Sequence, residues 1–587
     1  MNTEITERIT QLRKEMAHEK VDAYFVPGTD PHQSEYVPEC WLRRNWISGF
    51  TGSAGDVLVT ADFAGLWTDS RYFLQADNEL VKKTFTLMKT GLPDSVSIPE
   101  YLKQNLKNKT VGIDPQVVSI QWIKENQAIF EQKGISIKSL AENLVDRLWK
   151  DRPIPSLAPI KPLAEEFTGE SHSAKLHRIR EVLKTESVSA FVVTTLDSIA
   201  WAFNIRGTDI PFNPVIISYA LITLEDAYLY IQSEKVSPEL EAHLGTLVKI
   251  KKYNEIASDL KNLKKQRVLI DPKTTSCWIR DCLSESILHE VRSPIVLFKA
   301  IKNKVEQTGM KQAHFYDGIA LCKFLSWLEK AVQDKSLTEI SAAEKLLAFR
   351  KNHPHFQGPS FETISGYKEH GAIVHYRATP ESNSTLTPDG VYLLDSGGQY
   401  LEGTTDITRT ITLGNPTTQQ KEHFTRVLKG HIALDSVIFP VGTSGAQLDV
   451  LARKSLWSAF LDYGHGTGHG VGCYLNVHEG PQSISSRGHE PLKAGMIVSN
   501  EPGYYLSGEY GIRIENLVLV QQEAEGFLSF EAITLCPMDK KLMDVSLMTK
   551  NEISWVNNYH AQVYEMLSEE MNKKELKWLT EATEPLE

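Results

Sequence analysis

Five side chains between Asp395 and Glu515 have the types and spacing to do chemistry: Asp395, Asp406, His469, Glu501 and Glu515. They stand in the phrases VYLLDSG, GTTDITRT, GHGTGHGVG, SNEPGYY and GIRIENLVLV. A carboxylate is costly in apolar, strand-like surroundings such as Val391–Leu394 or Leu517–Val520 unless something pairs with it. Four carboxylates and one imidazole suit hard or borderline divalent cations. Structural zinc prefers thiolates, and the one cysteine in this region, Cys473, lies outside the pattern. Four negative charges balance two divalent ions, which would make a hydroxide nucleophile available at neutral pH. Taken singly, an Asp after a strand is more often a cap or turn residue than a ligand. It is the set that points to a metal centre.

Those side chains need a scaffold. The chain has 587 residues, too many for one core, so two to four domains are expected. Hydrophobic content of 41% and charged content of 23% fit a globular protein. A net charge of −11 argues against nucleic acid or an anionic membrane as the main partner. The opening MNTEITERITQLRKEMAHEK is charged throughout, unlike a secretory signal, and no apolar run reaches membrane-span length. Six cysteines without framework spacing read as reduced thiols, which places the protein in the cytoplasm. Asn383-Ser384-Thr385 then reads as a polar turn and not as a glycosylation acceptor.

Ile5, Ile9, Leu12 and Met16 fall at helical spacing, and Val21–Val26 reads as a buried strand. The segment SGFTGSAGDVLVT through GLWTDSRYFLQA predicts a hairpin or strand pair. The order recurs: Lys175–Lys184 is helical, Val188–Val193 mirrors Val21–Val26, and WAFNIRGTDIPFNPVIISYALIT echoes WISGFTGSAGDVLVT. Two related α/β domains follow, joined by the proline-rich linker Arg152–Pro162. A helical run is predicted from Ile295 to Leu328. GHGTGHGVG, with five glycines in nine residues, is expected outside any regular strand, where glycine permits close backbone approach. Ile553, Val556, Tyr559 and Val563 predict a docked C-terminal helix.

The five motif phrases, in order, resemble the ligand segments of the pita-bread metallopeptidases, the family of methionine aminopeptidase, prolidase and Xaa-Pro aminopeptidase. PGTDPHQSEY, ISGFTGSAG, LWTDSRYFLQA, SIAWAFNIRGTDIPFNPV, GAIVHY, VLKGHIAL, NVHEGP and WVNNYH extend the likeness along the whole chain to the three-domain cytosolic Xaa-Pro aminopeptidases. The resemblance implies an α/β (α+β) fold, with two related creatinase-like N-terminal domains at 1–150 and 151–294. A pita-bread catalytic domain at 295–540 and a C-terminal helical extension at 541–587 complete it. It implies a metallo-aminopeptidase that hydrolyses the N-terminal Xaa-Pro bond with a hydroxide bridging two divalent ions, manganese being favoured. By the same carry-over Asp395 binds one ion, Asp406 and Glu515 bridge both, and His469 and Glu501 complete the second, with Glu501 as base. His375 and His478 match outer histidines that bind substrate and stabilise the oxyanion. His465 is expected beside a ligand and Arg513 to pair with a ligand carboxylate, on the same strand face as Glu515. Arg71 matches a position that reaches the substrate, against the plainer reading of a salt bridge to Asp69. Ser499-Asn500 stand where relatives often carry Thr-Asp, a change expected to stay outside the ligand set. A homodimer is implied, with Trp457 as a contact.

Two other readings compete. A prolidase-type dipeptidase would use the same ions, but the length and the duplicated N-terminal domain oppose it. A pita-bread binding module that has lost catalysis would lack ligands, and here all five are present.

Overall fold

A computed structural model of the protein describes residues 2–333 and 336–587. The first helix, Asn2–His18, buries Ile5, Ile9, Leu12 and Met16 on one stripe. That stripe covers one face of a six-stranded sheet. Its strands lie in the order Thr86–Lys89, Ala64–Thr68, Asp56–Thr60, Ala23–Val26, Thr110–Ile113 and Ser136–Ser139. Ala23–Val26 is buried along its whole length, antiparallel to Asp56–Thr60 and parallel to Thr110–Ile113. A strand covered on both faces needs a continuous apolar run, and AYFV supplies it.

The second sheet repeats this plan. Ala190–Val193 takes the central place, antiparallel to Tyr219–Thr223 and parallel to Arg267–Ile270. The sheet again has six strands, with the later pair on one side and the hairpin on the other. The helix His172–Thr185 precedes it as Asn2–His18 precedes the first. The duplication read from the sequence is therefore a duplication of topology. Both sheets belong to one compact unit, formed by Glu170–Ile295 and the chain up to Leu163.

The second unit comprises Ala164–Gly169 and Val296–Glu587. The single helical run predicted from Ile295 to Leu328 is in fact two helices, Pro294–Ala300 and Lys304–Ala331. Asn303 breaks it: its side chain accepts from the Glu306 backbone N–H, while the Glu306 carboxylate accepts from the Asn303 N–H. This reciprocal cap stabilises a new helix start more than the apolar periodicity favours continuation.

A six-stranded sheet carries Phe439–Pro440, Phe527–Ala532, Asn516–Ala524, Ile497–Asn500, Gly468–Gly470 and Glu479–Ile484 in that order. A smaller sheet places Val391–Ser396 between Ile364–Tyr367 and Ile407–Thr412. The helices Thr418–Asp435 and Gly445–Trp457 complete this part. The tail forms two helices, Lys550–Leu567 and Lys573–Thr583. Val556, Val563, Leu567 and Leu579 are fully buried, each worth about 1.5–3 kcal/mol.

The glycine-rich stretch departs from expectation, since Gly468–Gly470 does enter a sheet. A Cβ on Gly468 would lie 1.9 Å from the Ser499 carbonyl oxygen, and one on Gly470 2.1 Å from that of Glu479. Glycine here permits strand pairing at a distance no other residue allows. The register shifts between His469 and Gly470.

All six cysteines are free and buried, three in each unit. Among the described residues no helix is long and apolar enough to cross a membrane.

Candidate metal centre

Asp395 sits in the strand Val391–Ser396, directly across from Thr408 in the neighbouring strand. Asp406 immediately precedes that neighbour, Ile407–Thr412. Glu501 follows Ile497–Asn500, and Glu515 precedes Asn516–Ala524. Two sheets thus deliver their strand ends to one place. Candidate ligand atoms of Asp406, His469 and Glu515 all lie within 4.8 Å of one another. His469 Nε2 is 3.4 Å from Asp406 Oδ2 and 3.5 Å from Glu501 Oε1, which draws Glu501 into the group. Asp395 is linked to Glu515 through two hydrogen-bonded partners in series.

Those partners are Arg513 and Thr408. Arg513 Nη2 donates to Asp395 Oδ2 at 2.6 Å, and its Nε donates to Thr408 Oγ1 at 3.1 Å. Thr408 Oγ1 donates in turn to Glu515 Oε2 at 2.8 Å. Arg513 pairs with a candidate ligand carboxylate as expected, but not from one continuous strand shared with Glu515. The strand Tyr510–Arg513 ends at Arg513, so alternation does not continue to Glu515, and the guanidinium pairs with Asp395. Arg513 Nη1 also donates to Tyr505 Oη at 2.6 Å, and Tyr505 Oη lies 2.8 Å from His465 Nε2. His465 is therefore linked to Asp395 through Tyr505 and Arg513.

The orientation of His469 suits a ligand. Its Nδ1 lies 2.9 Å from the Gly470 carbonyl oxygen, which only a protonated nitrogen can approach as donor. Nε2 is left facing the carboxylates. Ser499 Oγ accepts from the His469 N–H at 2.9 Å and donates to Glu501 Oε1 at 3.1 Å. The serine at this position thus ties two candidate ligands together. The Glu501 N–H donates to the Thr467 carbonyl at 2.8 Å.

The electrostatics call for cations. Burial pushes the Asp395 carboxyl above the usual carboxylate range, against the pull of Arg513. Glu515 is driven well above its ordinary value by burial and by the charges of Asp406, Glu501 and Asp395. Glu501 is raised by burial and by Asp406, in spite of His469. Burial alone would lower His469, but hydrogen bonding to Asp406 and the charge of Glu501 lift it to about 9. Asp395 Oδ1 is buried and accepts no hydrogen bond among the described residues. Four carboxylates with one arginine among them are under-compensated, and oxygen donors with one imidazole nitrogen fit divalent cations.

The other sequence-selected residues fall as follows. The His478 ring stands 4.3 Å from the His469 ring, nearly perpendicular to it. His375 is half-buried in the loop after the turn Lys368–Ala372. Its neighbour Tyr376 donates from Oη to Glu339 Oε2 at 2.9 Å. Arg71, in the N-terminal unit, makes the two-pronged pair with Asp69, Nε to Oδ1 at 2.8 Å and Nη2 to Oδ2 at 2.7 Å. Trp457 is 46% exposed at the end of its helix. Thr408 and Tyr505 escaped the sequence reading. The TTDITRT and EPGYY phrases contain them, but a hydroxyl in a strand has no compositional signature.

Known protein families match the chain along most of its length. Residues 308–522 match "Metallopeptidase family M24" and 526–586 the "C-terminal region of peptidase_M24". Residues 8–148 and 151–306 each match a "Creatinase/Prolidase N-terminal domain". A "Probable Xaa-Pro aminopeptidase P" of Talaromyces marneffei is 43% identical, covering 99% of this chain and 92% of its own. The crystal structure of "X-prolyl aminopeptidase from Caenorhabditis elegans: a cytosolic enzyme with a di-nuclear active site" superposes with TM-score 0.96. It is 37% identical and covers 99% of this chain and 100% of its own. An "Xaa-Pro dipeptidase from Bacillus anthracis" shares the fold over 63% of this chain and 99% of its own, at 24% identity and TM-score 0.53.

Proposed function

The chain belongs to metallopeptidase family M24, and from that membership we propose that it is an Xaa-Pro aminopeptidase, removing the N-terminal residue from peptides with proline in second position. One observation carries this reading: the likeness to the Caenorhabditis elegans X-prolyl aminopeptidase runs through the whole chain, both N-terminal sheets included. Domains at 1–150, 151–294, 295–540 and 541–587 are part of the proposal.

An Xaa-Pro bond is a tertiary amide with no N–H, so a peptidase must grip the carbonyl side and protonate the proline nitrogen as it leaves. The enzyme is dinuclear. Asp395 would hold one divalent cation, Asp406 and Glu515 would be shared, and His469 and Glu501 would hold the second. When bound, the pair supplies Lewis acidity and an acidified water. Manganese is the proposed metal, in keeping with the oxygen-rich donors. Glu501 takes the proton from the attacking water and is placed to return it toward the leaving nitrogen. His478 donates to the oxygen of the tetrahedral species, and His375 holds the substrate backbone. The His465–Tyr505–Arg513 chain fixes Asp395 and gives the substrate a polar wall. Arg71 is proposed to reach the substrate in exchange for part of its pairing with Asp69. A cytoplasmic homodimer with Trp457 in its contact completes the reading.

The test is hydrolysis of an Xaa-Pro-Xaa tripeptide beside an Xaa-Pro dipeptide, after chelator stripping and re-addition of manganese, cobalt or zinc. Release of the first residue from the tripeptide, restored best by manganese, is expected. Cleavage confined to the dipeptide would make the protein a prolidase. Full turnover after stripping would remove the metal from the mechanism.

A further inference from the structure

Glu479 follows His478 and opens the strand Glu479–Ile484, opposite Gly470 in register. His478, in the bend just before this strand, brings its ring against His469, while the Glu479 side chain runs into the protein. There the Glu479 side chain has no exposure at all, and two lysines meet it. Lys302 Nζ lies 2.6 Å from Oε1 and Lys299 Nζ 3.0 Å from Oε2. Both lysines are themselves buried, at 2% and 3% exposure. Lys302 Nζ also donates to the Lys299 carbonyl at 2.7 Å, so the two grips form one piece.

Three buried charges are a poor choice for stability alone, because desolvation consumes most of their attraction and an apolar trio of the same volume does as well. What such a clamp gives is direction. Its two lysines come from the end of the helix Pro294–Ala300 and the short link after it. They hold the first residue of a strand whose preceding residue faces a candidate ligand. We propose that Glu479, gripped by Lys299 and Lys302, is the positioning residue for His478, fixing the angle at which that imidazole meets the substrate oxygen. The inference rests on the role given to His478 above.

A double-mutant cycle tests it, on the manganese-loaded full chain with a Xaa-Pro-Xaa peptide. Glu479→Gln, His478→Ala and the double variant are compared for kcat, KM, bound metal per chain and melting temperature. The expected result is a kcat lowered about 10- to 100-fold by Glu479→Gln, with KM and metal content unchanged. In the His478→Ala background the same change should cost nothing further. Lys302→Met should follow Glu479→Gln in direction, and Lys302→Arg should restore most of the rate. If Glu479→Gln does not fold, Lys302→Met in the two backgrounds reads the same coupling. Equal losses with and without His478 would overturn the clamp, as would metal loss in proportion to rate, or a raised KM with kcat intact. Full turnover of His478→Ala would instead overturn the role of His478, and the clamp would go with it.

Discussion

Asp406 is the residue on which the site depends most. It lies at hydrogen-bonding distance from His469 and its charge raises Asp395, Glu501 and Glu515. Asp406→Ala should reduce turnover by more than the 10²-fold typical of an outer partner, and bound metal should fall from two ions to one or none. Elemental analysis of the purified variant checks this; two ions with normal turnover would refute the assignment. At this scale the sequence was informative where chemistry is rare. A carboxylate in VYLLDSG or GIRIENLVLV stands out against apolar neighbours. Thr408 does not, because threonine is at home in any strand, and its role follows from register: it faces Asp395 across a strand pair and reaches Glu515 sideways. Arg513 pairs with Asp395 and meets Glu515 at the Thr408 hydroxyl, although the strand that carries it ends two residues before Glu515.

Elements were legible where periodicity was long and unbroken, as in Asn2–His18 or Ala190–Val193. They were misread where a short-range cap or a backbone approach decided the matter. Asn303 divides one apolar run into two helices, and Gly468–Gly470 becomes a strand because its partners come too close for a side chain. The helix Thr418–Asp435 adds a pH-dependent feature. Its last residue, Asp435, accepts from the Trp555 indole N–H at 2.9 Å, while Oδ1 is buried and has no hydrogen-bond partner among the described residues. Burial raises this carboxyl to about 7, against the indole's opposing pull. A carboxyl raised on folding stabilises the fold fully below its unfolded pKa of about 4, and that contribution is lost as pH rises through about 7. Asp435→Asn keeps an acceptor for Trp555 without the charge. It should leave the melting temperature unchanged below pH 4 and raise it by roughly 2–4 °C at pH 8. Equal shifts at both pH values would mean that the carboxyl is ionised throughout.

For the whole molecule, the repeat of two sheets was visible because helix, strand and hairpin recur in the same order, whereas the placement of strand ends around the metal centre needed the fold. The charge imbalance there links metal to stability. Stripping the cations should lower the melting temperature, since ligands that bind only the folded state contribute about 2.7 kcal/mol at a hundred times Kd. Without cations, Asp395, Glu501 and Glu515 titrate above their unfolded values, so the stripped form should lose stability as pH rises from 5 to 8. The gap between loaded and stripped forms should widen over that range in calorimetry; a constant gap would argue against a converged cluster. The buried thiols have a practical corollary. Cys40, Cys277 and Cys282 lie in one unit and Cys322, Cys473 and Cys536 in the other. A thiol reagent can reach none of them until its own unit opens. Pulse alkylation read by peptide mass spectrometry along a urea gradient therefore gives two separate clocks. Chelation should advance the clock of Cys322, Cys473 and Cys536 and leave the other three keeping their time.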